Sequence, residues 1–282
     1  MTTSASRKVA LVTGSTDGLG RAVARSLAAC GFRVLIHGRD AQRGEDLVRE
    51  ICGLGGSARF HRADFASLAE VRGLAQTVGR EQDPLHLLIN NAGIGSGEGA
   101  GLPAPRRTSA DGCELRFAVN YLAGYLLTRL LLPLLVRGAP ARVVNVASAG
   151  QYPLDFDNLM LTRAYSGMRA YAQSKLAQVM LTIDLAAQLR ESGVTVNCLH
   201  PATFMDTTMV RHAGVAPVST VEEGVAAVMQ LAVSPQLEGR TGEYFEGLLA
   251  ARANAQAYDA QARRRLAQVS ARLAGLDPAG SS

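Results

Sequence analysis

The sequence predicts an α/β fold, a single doubly wound domain over residues 1–282 with a central parallel sheet of about seven strands and helices on both faces. Short runs rich in Val, Ile and Leu alternate with longer segments of helical periodicity, a pattern typical of buried parallel strands joined by crossover helices. A glycine-rich turn directly follows the first apolar run. An apolar fraction of 48% is ample for a large core.

The elements follow in chain order. Predicted strands are residues 8–13, 33–36, 58–61, 85–89, 142–146, 194–199 and 243–245. Predicted helices are residues 21–30, 41–52, 68–80, 170–190 and 221–232, with a long helical pattern inside 108–136. Residues 149–168 are expected to form a connection and 200–218 a long loop. Residues 1–7 are expected to be a flexible N-terminus, and 250–282 a helical tail.

Composition excludes several classes of function. The net charge is +5, but the basic residues are scattered and show no stripe with interleaved aromatics, so no nucleic-acid partner is expected. The most apolar run, residues 126–136, contains Arg129 and Pro133 and is too short to span a bilayer. The N-terminus lacks the apolar run of a signal peptide. We therefore expect a cytoplasmic protein without a membrane partner.

Cysteine and histidine usage points the same way. The four cysteines are far apart and form no CxxC pair, which is typical of reduced thiols in a cytosolic protein. The five histidines are dispersed, and none stands at a metal-ligand spacing from a cysteine. No metal site is predicted.

The first predicted strand enters the loop Gly14-Ser15-Thr16-Asp17-Gly18-Leu19-Gly20, which leads into a helix. Glycines allow the tight turn and let a pyrophosphate approach the backbone, while the helix N-terminus offers unpaired N–H groups and a favourable dipole. This strand–turn–helix context predicts a nucleotide-binding loop. Neither the commonest dinucleotide fingerprint nor a P-loop fits the spacing.

The end of the second strand bears on cofactor choice. Folds that read the ribose of NAD place a carboxylate there, whereas this chain has Arg39. A guanidinium can pair with a 2′-phosphate, so NADP(H) is favoured over NAD(H). Asp40 keeps NAD(H) as the alternative, and Asp17 in the loop disfavours additional phosphate charge.

Tyr171 and Lys175 stand four residues apart in a predicted helix, on one face of it. The chain has 29 basic residues, of which only Lys8 and Lys175 are lysines. An ammonium beside a phenol favours the phenolate, so we expect Lys175 to lower the pKa of Tyr171 and make it an acid/base group.

In combination these motifs resemble the short-chain dehydrogenase/reductase superfamily, classical type, over about residues 8–250. The resemblance is carried by Thr13-Gly14 with Gly18-Leu19-Gly20, Asp64, Asn90-Asn91-Ala92-Gly93, Asn120, Ser148, Tyr171 with Lys175, and His200-Pro201. Arg39, the Asp111-Gly112-Cys113-Glu114 stretch before Val119-Asn120, and the tail after Tyr244-Phe245 resemble the retinol-dehydrogenase-like branch. The resemblance implies a Rossmann fold.

It also implies roles for single residues. Tyr171 would be the acid/base, Lys175 would hold the ribose, Ser148 would bond the reacting oxygen and Asn120 would seat a water that relays protons. Asp64 would meet the adenine, with Asn90 and Gly93 lining the adenosine side. The predicted cofactor site further includes Phe65, Asn91, Ala92, Pro201, Thr203 and Thr207, beside the glycine loop, Arg39, Tyr171 and Lys175.

Two features depart from the family pattern. Pro201 is followed by Ala202 rather than Gly, and Asp206 stands where a Thr usually bonds the cofactor carboxamide, so Thr207 is our choice for that contact. The gap between Ser148 and Tyr171 is longer than in compact tetrameric members by roughly ten residues. This insertion either shields a dimerisation helix or shapes the substrate pocket, so a monomer or a homodimer is expected.

The substrate is expected over the nicotinamide, between residues 94–101, 149–168 and 204–218. Candidate lining residues are Gln151, Tyr152, Tyr165, Met168, Phe204, Met205 and Met209. They are mostly apolar and include no Arg or Lys, which favours a neutral, hydrophobic ketone or aldehyde, or the corresponding alcohol. The predicted activity is that of an NAD(P)H-dependent oxidoreductase. The alternatives are an epimerase or dehydratase with the same four catalytic residues, and a nucleotide-sensing protein without catalysis.

Overall fold

The computed structural model describes residues 7–97 and 105–276, and these contain one eight-stranded sheet. Its strands are β1 (Val9–Val12), β2 (Arg33–Gly38), β3 (Ser57–Arg62), β4 (Leu87–Asn90), β5 (Ala141–Val146), β6 (Val194–His200), β7 (Tyr244–Glu246) and β8 (Leu249–Ala251). The order is β3-β2-β1-β4-β5-β6-β7-β8. β1 to β7 are parallel and β8 is antiparallel to β7. The predicted doubly wound α/β fold is confirmed.

Helices cover both faces of this sheet. They are α1 (Gly18–Ala29), α2 (Ala41–Gly53), α3 (Leu68–Glu81), α4 (Ala123–Arg137), α5 (Gly167–Gln188), α6 (Thr208–His212), α7 (Val221–Val233) and α8 (Ala260–Leu273). Successive side chains of β1 point to opposite faces of the sheet and pack in two separate cores. Leu11 packs in the core covered by α3, α4 and α5, whereas Val12 packs in the core covered by α1, α2 and α7.

The strand order reverses between β1 and β4, which lie side by side at the centre of the sheet. Crossovers from β1 run towards β3, and those from β4 run towards β7, so the loops that leave β1 and β4 diverge. Such a switch point leaves a crevice outside the carboxyl ends of the strands. The glycine loop after β1 and residues 91–97 after β4 border this crevice.

Two of the sequence-based assignments need correction. The tail was expected to be helical from residue 250, but it begins with β8, which pairs with β7, followed by a 3-10 turn (Ala255–Tyr258) and then α8. The long helical pattern in 108–136 begins with a π-helical turn (Phe117–Leu122) that runs directly into α4. Residues 1–6 and 277–282, which include most of the predicted flexible N-terminus, lie outside the described residues.

The segment Phe117–Arg137 is 21 residues long and apolar enough to cross a membrane by length and composition. This segment is longer than the apolar run of residues 126–136 from which the sequence analysis predicts that no helix spans a bilayer. The most apolar window of this segment is 61% buried inside the protein. Packing against α3 and α5 therefore accounts for its apolar character.

The tail is fastened to the core by a buried hydrogen bond. The hydroxyl groups of Tyr121 and Ser270 lie 2.7 Å apart. Ser270 Oγ also donates to the carbonyl of Leu266, so Tyr121 must be the donor of the pair. On the same face Arg263 pairs with Asp184 of α5 at 2.6 Å.

We expect Ser270→Ala to destabilise the protein by about 1–3 kcal/mol, because the buried Tyr121 hydroxyl loses its acceptor. Urea unfolding measures the difference, with Ser26→Ala as control, since Ser26 also donates to a carbonyl one helical turn back but has no such partner. Adding Tyr121→Phe to Ser270→Ala should recover part of the loss. Equal destabilisation by Ser270→Ala and Ser26→Ala would contradict this account.

Candidate active site

The glycine loop has a conformation that only small residues permit. Gly14 and Gly18 have φ angles of +63° and +50°, in the left-handed region. A Cβ on Gly14 would lie 2.7 Å from Cα of Ala92, and one on Gly20 would lie 2.3 Å from the carbonyl oxygen of Gly14. Asp17 caps α1 by accepting a hydrogen bond from the Gly18 N–H. The close backbone approach and the helix N-terminus fit a bound pyrophosphate.

Within this loop, Ser15 and Leu19 contribute only main-chain atoms to the crevice. Ser15 is fully buried and its hydroxyl donates to the Val12 carbonyl at 2.7 Å. Leu19 is buried in the core beneath α1 and α7. Thr16 lies over the end of β2, where a Cβ on Gly38 would come within 2.4 Å of its methyl group.

A histidine that the sequence analysis did not identify holds the loop in place. His37 Nδ1 accepts a hydrogen bond from the Gly14 N–H at 3.2 Å, and its Nε2 lies 3.1 Å from the Ala63 carbonyl. This arrangement requires the neutral tautomer with the proton on Nε2. Burial lowers the pKa of His37 to about 4, which keeps that tautomer at neutral pH. Only the position of His37 at the end of a predicted strand could have signalled this role.

The loops after β1 and β4 are joined across the crevice. Asn91 Nδ2 donates to the carbonyls of Thr13 and Gly14 at 2.9 and 3.1 Å. In return, Thr13 Oγ1 accepts from the N–H groups of Asn91 and Ala92, both at 3.0 Å. Asn91 and Ala92 therefore shape the cofactor crevice by supporting the glycine loop.

At the adenosine end, Arg39 is mostly exposed and lies 3.9 Å from the Asp64 carboxylate. Arg43, which the sequence analysis did not single out, pairs with Asp17 at 3.4 Å and Asp40 at 3.3 Å. Two guanidinium groups thus flank the end of β2. The pairing with Arg43 offsets the charge of Asp17 that seemed to disfavour phosphate.

Two residues of the predicted cofactor site have side chains that are turned inward. Phe65 is buried and stacks on the His37 ring with 4.2 Å between ring centres. Asn90 is also buried, and its Nδ2 donates to Thr128 and Asn145 at 2.9 and 2.8 Å. The Asn90 amide therefore joins β4 to α4 and β5, and a contact between Asn90 and the cofactor stays a prediction.

Ser148 and Tyr171 meet at the carboxyl end of β5. Ser148 follows that strand directly, and its Oγ accepts a hydrogen bond from the Gly150 N–H at 3.1 Å. The Tyr171 ring lies beside Ser148, since a Cβ on Gly150 would lie 3.5 Å from Ser148 Oγ and 3.9 Å from Tyr171 Cε1. The structure therefore brings together the two oxygen groups that the sequence places 23 residues apart.

Lys175 lies one helical turn beyond Tyr171 and is buried. Its Nζ donates to the Val146 carbonyl at 2.9 Å and to Gln178 Oε1 at 3.0 Å, and lies 5.7 Å from the centre of the Tyr171 ring. Burial lowers the pKa of Lys175 to about 7. Gln178 is a further site residue, and its i+3 spacing from Lys175 is the only sequence signal for it.

The expected lowering of the Tyr171 pKa is not found in the protein alone. Burial raises the pKa of the phenol, and the hydrogen bond from Ser148 opposes this only in part. The Lys175 nitrogen is directed to a carbonyl and an amide, and its own charge is disfavoured by burial. Sequence spacing indicated the proximity of Tyr171 and Lys175 but not the desolvation of both.

Asn120 lies in the π-helical turn, a feature common at functional sites. Its Oδ1 accepts from the Ile94 N–H at 2.8 Å, and its Nδ2 donates to the Ile94 carbonyl at 3.2 Å and to Ser174 Oγ at 3.0 Å. The amide thus fixes the main chain after β4. A Cβ on Gly93 would lie 3.3 Å from Asn120 Oδ1 and 3.7 Å from Lys175 Nζ, so the Gly93 backbone borders both side chains.

Comparison with known proteins identifies the family of this chain. The family model described as short chain dehydrogenase matches residues 8–216. The chain belongs to the short-chain dehydrogenase family. It is similar to human retinol dehydrogenase 13, with 36% identity over 290 residues that cover 96% of this chain and 85% of the relative. It is also similar to mouse polyprenol dehydrogenase, with 39% identity covering 95% and 84% of the two chains.

Among solved structures, the Pseudomonas aeruginosa RhlG/NADP active-site complex is 30% identical, with a TM-score of 0.67 and coverage of 85% of this chain and 94% of that one. The sequence-based recognition of the superfamily and of its retinol-dehydrogenase-like branch is therefore confirmed. The fold of this short-chain dehydrogenase does not by itself determine its function, which depends on the residues of the site.

Residues 203–219 of this dehydrogenase form a lid that reaches across the crevice. Thr207 caps α6, and its methyl group would lie 3.4 Å from a Cβ on Gly18, so it packs over the glycine loop. Met209 of α6 lies against Gly95 on the other side, with Cγ 3.2 Å from a Cβ built there. Thr203 Oγ1 lies 3.0 Å from His200 Nε2, beside the buried Pro201. Thr207 is thus near the cofactor loop.

The candidate substrate residues divide into two groups. Tyr152, Met168, Phe204 and Met209 are exposed. Gln151, Tyr165 and Met205 serve the framework instead. Gln151 bonds the Ser148 carbonyl and the Asn254 N–H, Tyr165 bonds Arg116 and Glu114, and Met205 packs against Leu19 and Gly224. Part of the expected wall, residues 98–101, lies outside the described residues. Among those described, no group of three His, Cys, Asp or Glu side chains could hold a metal ion.

The low pKa of His37 makes stability depend on pH. The folded state binds this proton only near pH 4, whereas an unfolded histidine binds it near pH 6.5. The contribution is therefore complete above pH 6.5 and is lost as the pH falls from 6.5 to 4, by up to about 3 kcal/mol. Urea unfolding at pH 7.5 and pH 5 should show this loss in the wild type.

The matched comparison is His37→Gln, whose amide stays neutral over that range. Its unfolding free energy should change less between pH 7.5 and pH 5 than that of the wild type. An equal pH dependence in the two proteins would show that His37 is not the group responsible.

Proposed function

We propose that this short-chain dehydrogenase is an NADP(H)-preferring oxidoreductase that interconverts a neutral, hydrophobic ketone or aldehyde and its alcohol. The observation that carries the proposal is the proximity of Ser148, Tyr171 and the buried Lys175, at the crevice bordered by the glycine loop. The relatives named retinol and polyprenol dehydrogenase support an alcohol or carbonyl of low polarity as substrate.

In the direction of reduction, the nicotinamide supplies a hydride to the carbonyl carbon when the cofactor is bound. Negative charge then develops on the carbonyl oxygen. Two hydroxyl groups, those of Ser148 and Tyr171, are placed to donate hydrogen bonds to that oxygen, and Tyr171 gives up its proton to form the alcohol. In oxidation Tyr171 takes the proton back.

Lys175 gives this exchange its electrostatic support. Its ammonium group is buried and retains two acceptors, the Val146 carbonyl and Gln178 Oε1, when it is protonated. A positive charge there stabilises the Tyr171 phenolate that remains after proton transfer. With a pKa of about 7 in the protein alone, Lys175 gains this charge as the pH falls through neutrality.

Four features of the proposal go beyond the family assignment. NADP(H) preference is supported by the guanidinium groups of Arg39 and Arg43 at the end of β2. A single domain that acts as a monomer or homodimer is supported by the packing of α8 on α5. A cytoplasmic location is supported by the burial of the apolar segment Phe117–Arg137. A proton-relay role for Asn120 is supported by its contact with the main chain that borders Lys175.

Tyr171→Phe should lower kcat for carbonyl reduction by about 100- to 10,000-fold, because the proton donor is removed while the ring remains. A panel of ketones and aldehydes of increasing size, assayed by NADPH oxidation, measures the loss. Tyr258→Phe is the control, since Tyr258 is an exposed tyrosine of the tail and is not among the candidate substrate residues. Wild-type protein that reduces no member of the panel, with Tyr171→Phe behaving identically, would refute the proposal.

Arg39→Ala should raise the Kd of NADPH about tenfold and leave that of NADH nearly unchanged, because only NADPH carries the 2′-phosphate. Fluorescence titration of both cofactors measures the two constants. Arg49→Ala is the control, an exposed arginine of α2 that pairs with Asp46. If the wild type binds NADH as tightly as NADPH, the assignment of Arg39 is wrong.

A further inference from the structure

A buried polar cluster stands outside the catalytic groups. Arg116 and Glu114 are 4% and 1% exposed, and their charged groups lie 3.7 Å apart. The Tyr165 hydroxyl bridges them, accepting from Arg116 Nη1 at 2.8 Å and donating to Glu114 Oε1 at 3.0 Å. Burying two charges is costly unless they are paired and hydrogen-bonded, and both of these charged groups make such contacts.

Two further nitrogen atoms of Arg116 donate to main-chain carbonyls. Nε donates to the Gly95 carbonyl at 2.8 Å and Nη2 to the Ser96 carbonyl at 3.3 Å. One planar guanidinium therefore joins the chain after β4 to Tyr165, which precedes α5 by two residues. A lysine could retain the charge but could not reach three acceptors in this geometry.

Glu114 orients the same region from the other end. Its Oε2 accepts from the Phe117 N–H at 2.8 Å, at the start of the π-helical turn. That turn carries Asn120, which binds both main-chain groups of Ile94. Arg116 and Asn120 therefore hold consecutive residues of one short strip, Ile94, Gly95 and Ser96.

This strip is also the surface on which the lid rests. Met209 of α6 packs on Gly95, where a Cβ would approach its Cγ to 3.2 Å. Arg116 contacts Gly95 through its carbonyl, while Met209 contacts the position of the missing side chain. The strip thus separates a buried, charged anchor from an apolar lid residue that borders the crevice.

We propose that Arg116 is a positioning residue for the substrate side of the site, holding Gly95 and Ser96 as the seat on which Met209 closes. This assignment builds on the proposed function, because it gives Arg116 a part in binding the carbonyl substrate. It assigns Arg116 no contact with substrate or cofactor. Its effect on substrate binding passes through Gly95 and Met209.

The test compares Arg116→Lys with Arg106→Lys. Arg106 donates to the Met160 carbonyl at 3.1 Å, in the same connection before α5, but has no contact with Gly95 or Ser96. Hydrogen–deuterium exchange is followed in peptides covering residues 93–97 and 207–212. KM, kcat and the Kd of NADPH are measured with a small and a large carbonyl.

For Arg116→Lys we expect exchange in both peptides about tenfold faster and KM for the large carbonyl about tenfold higher, with kcat and NADPH affinity within about twofold. Tyr165→Phe should produce a smaller change of the same kind, because it removes only one of the bonds to Arg116. Arg106→Lys should match the wild type in each measurement.

Two results would overturn the proposal. One is wild-type exchange and KM in Arg116→Lys, and the other is a parallel fall of kcat, NADPH affinity and thermal stability, which would indicate a role in the whole fold. If the wild type reduces no carbonyl, the proposed function fails. The exchange measurement then still decides whether Arg116 holds the strip and the lid.

Discussion

The site depends on a set of hydrogen bonds between the carboxyl ends of β1 and β4. Asn91 holds the carbonyls of Thr13 and Gly14, Thr13 holds the main chain of Asn91 and Ala92, and His37 holds the Gly14 N–H. The loops that leave these strands run in opposite directions, so without such bonds the crevice between them would have no fixed width. These contacts involve no charged side chain, which allows the loop to present N–H groups to an anion.

Ser148, Tyr171 and Lys175 form a second polar cluster beside that crevice. Lys175 is held from β5 through the Val146 carbonyl and from its own helix through Gln178. Tyr171 lies beside Ser148, which follows the same strand. Burial raises the pKa of the phenol and lowers that of the ammonium group, so both are disposed towards their neutral forms in the protein alone. A bound anionic cofactor would favour the charged form of Lys175, which links catalysis to cofactor binding.

Much of this could be predicted from the sequence, because it depends on local patterns. The alternation of apolar runs and helical segments predicts the sheet. The glycines at 14, 18 and 20 predict the loop, because strained φ angles require specific residues. The i,i+4 spacing placed Tyr171 and Lys175 on one helix face. What spacing cannot supply is tertiary desolvation, so the direction of the Tyr171 pKa shift was missed. It also cannot show which amide side chain faces inward, as that of Asn90 does.

Long-range partners were invisible for the same reason. His37, Arg43 and Arg116 acquire their roles through contacts made when distant segments meet, as when Arg116 reaches Gly95 and Tyr165. Likewise β8 could not be separated from a helical tail, because three residues of low β-propensity form a strand only where β7 offers an edge.

The central claim is that hydride passes between the nicotinamide and a carbonyl carbon beside Tyr171. It is tested most directly with NADPH that carries deuterium on the transferring face of C4, using a carbonyl that the protein turns over. The account predicts an alcohol with one deuterium on its carbinol carbon and an equal amount of NADP⁺. A product that forms without deuterium and without net oxidation of the cofactor would contradict the account and favour epimerisation or dehydration.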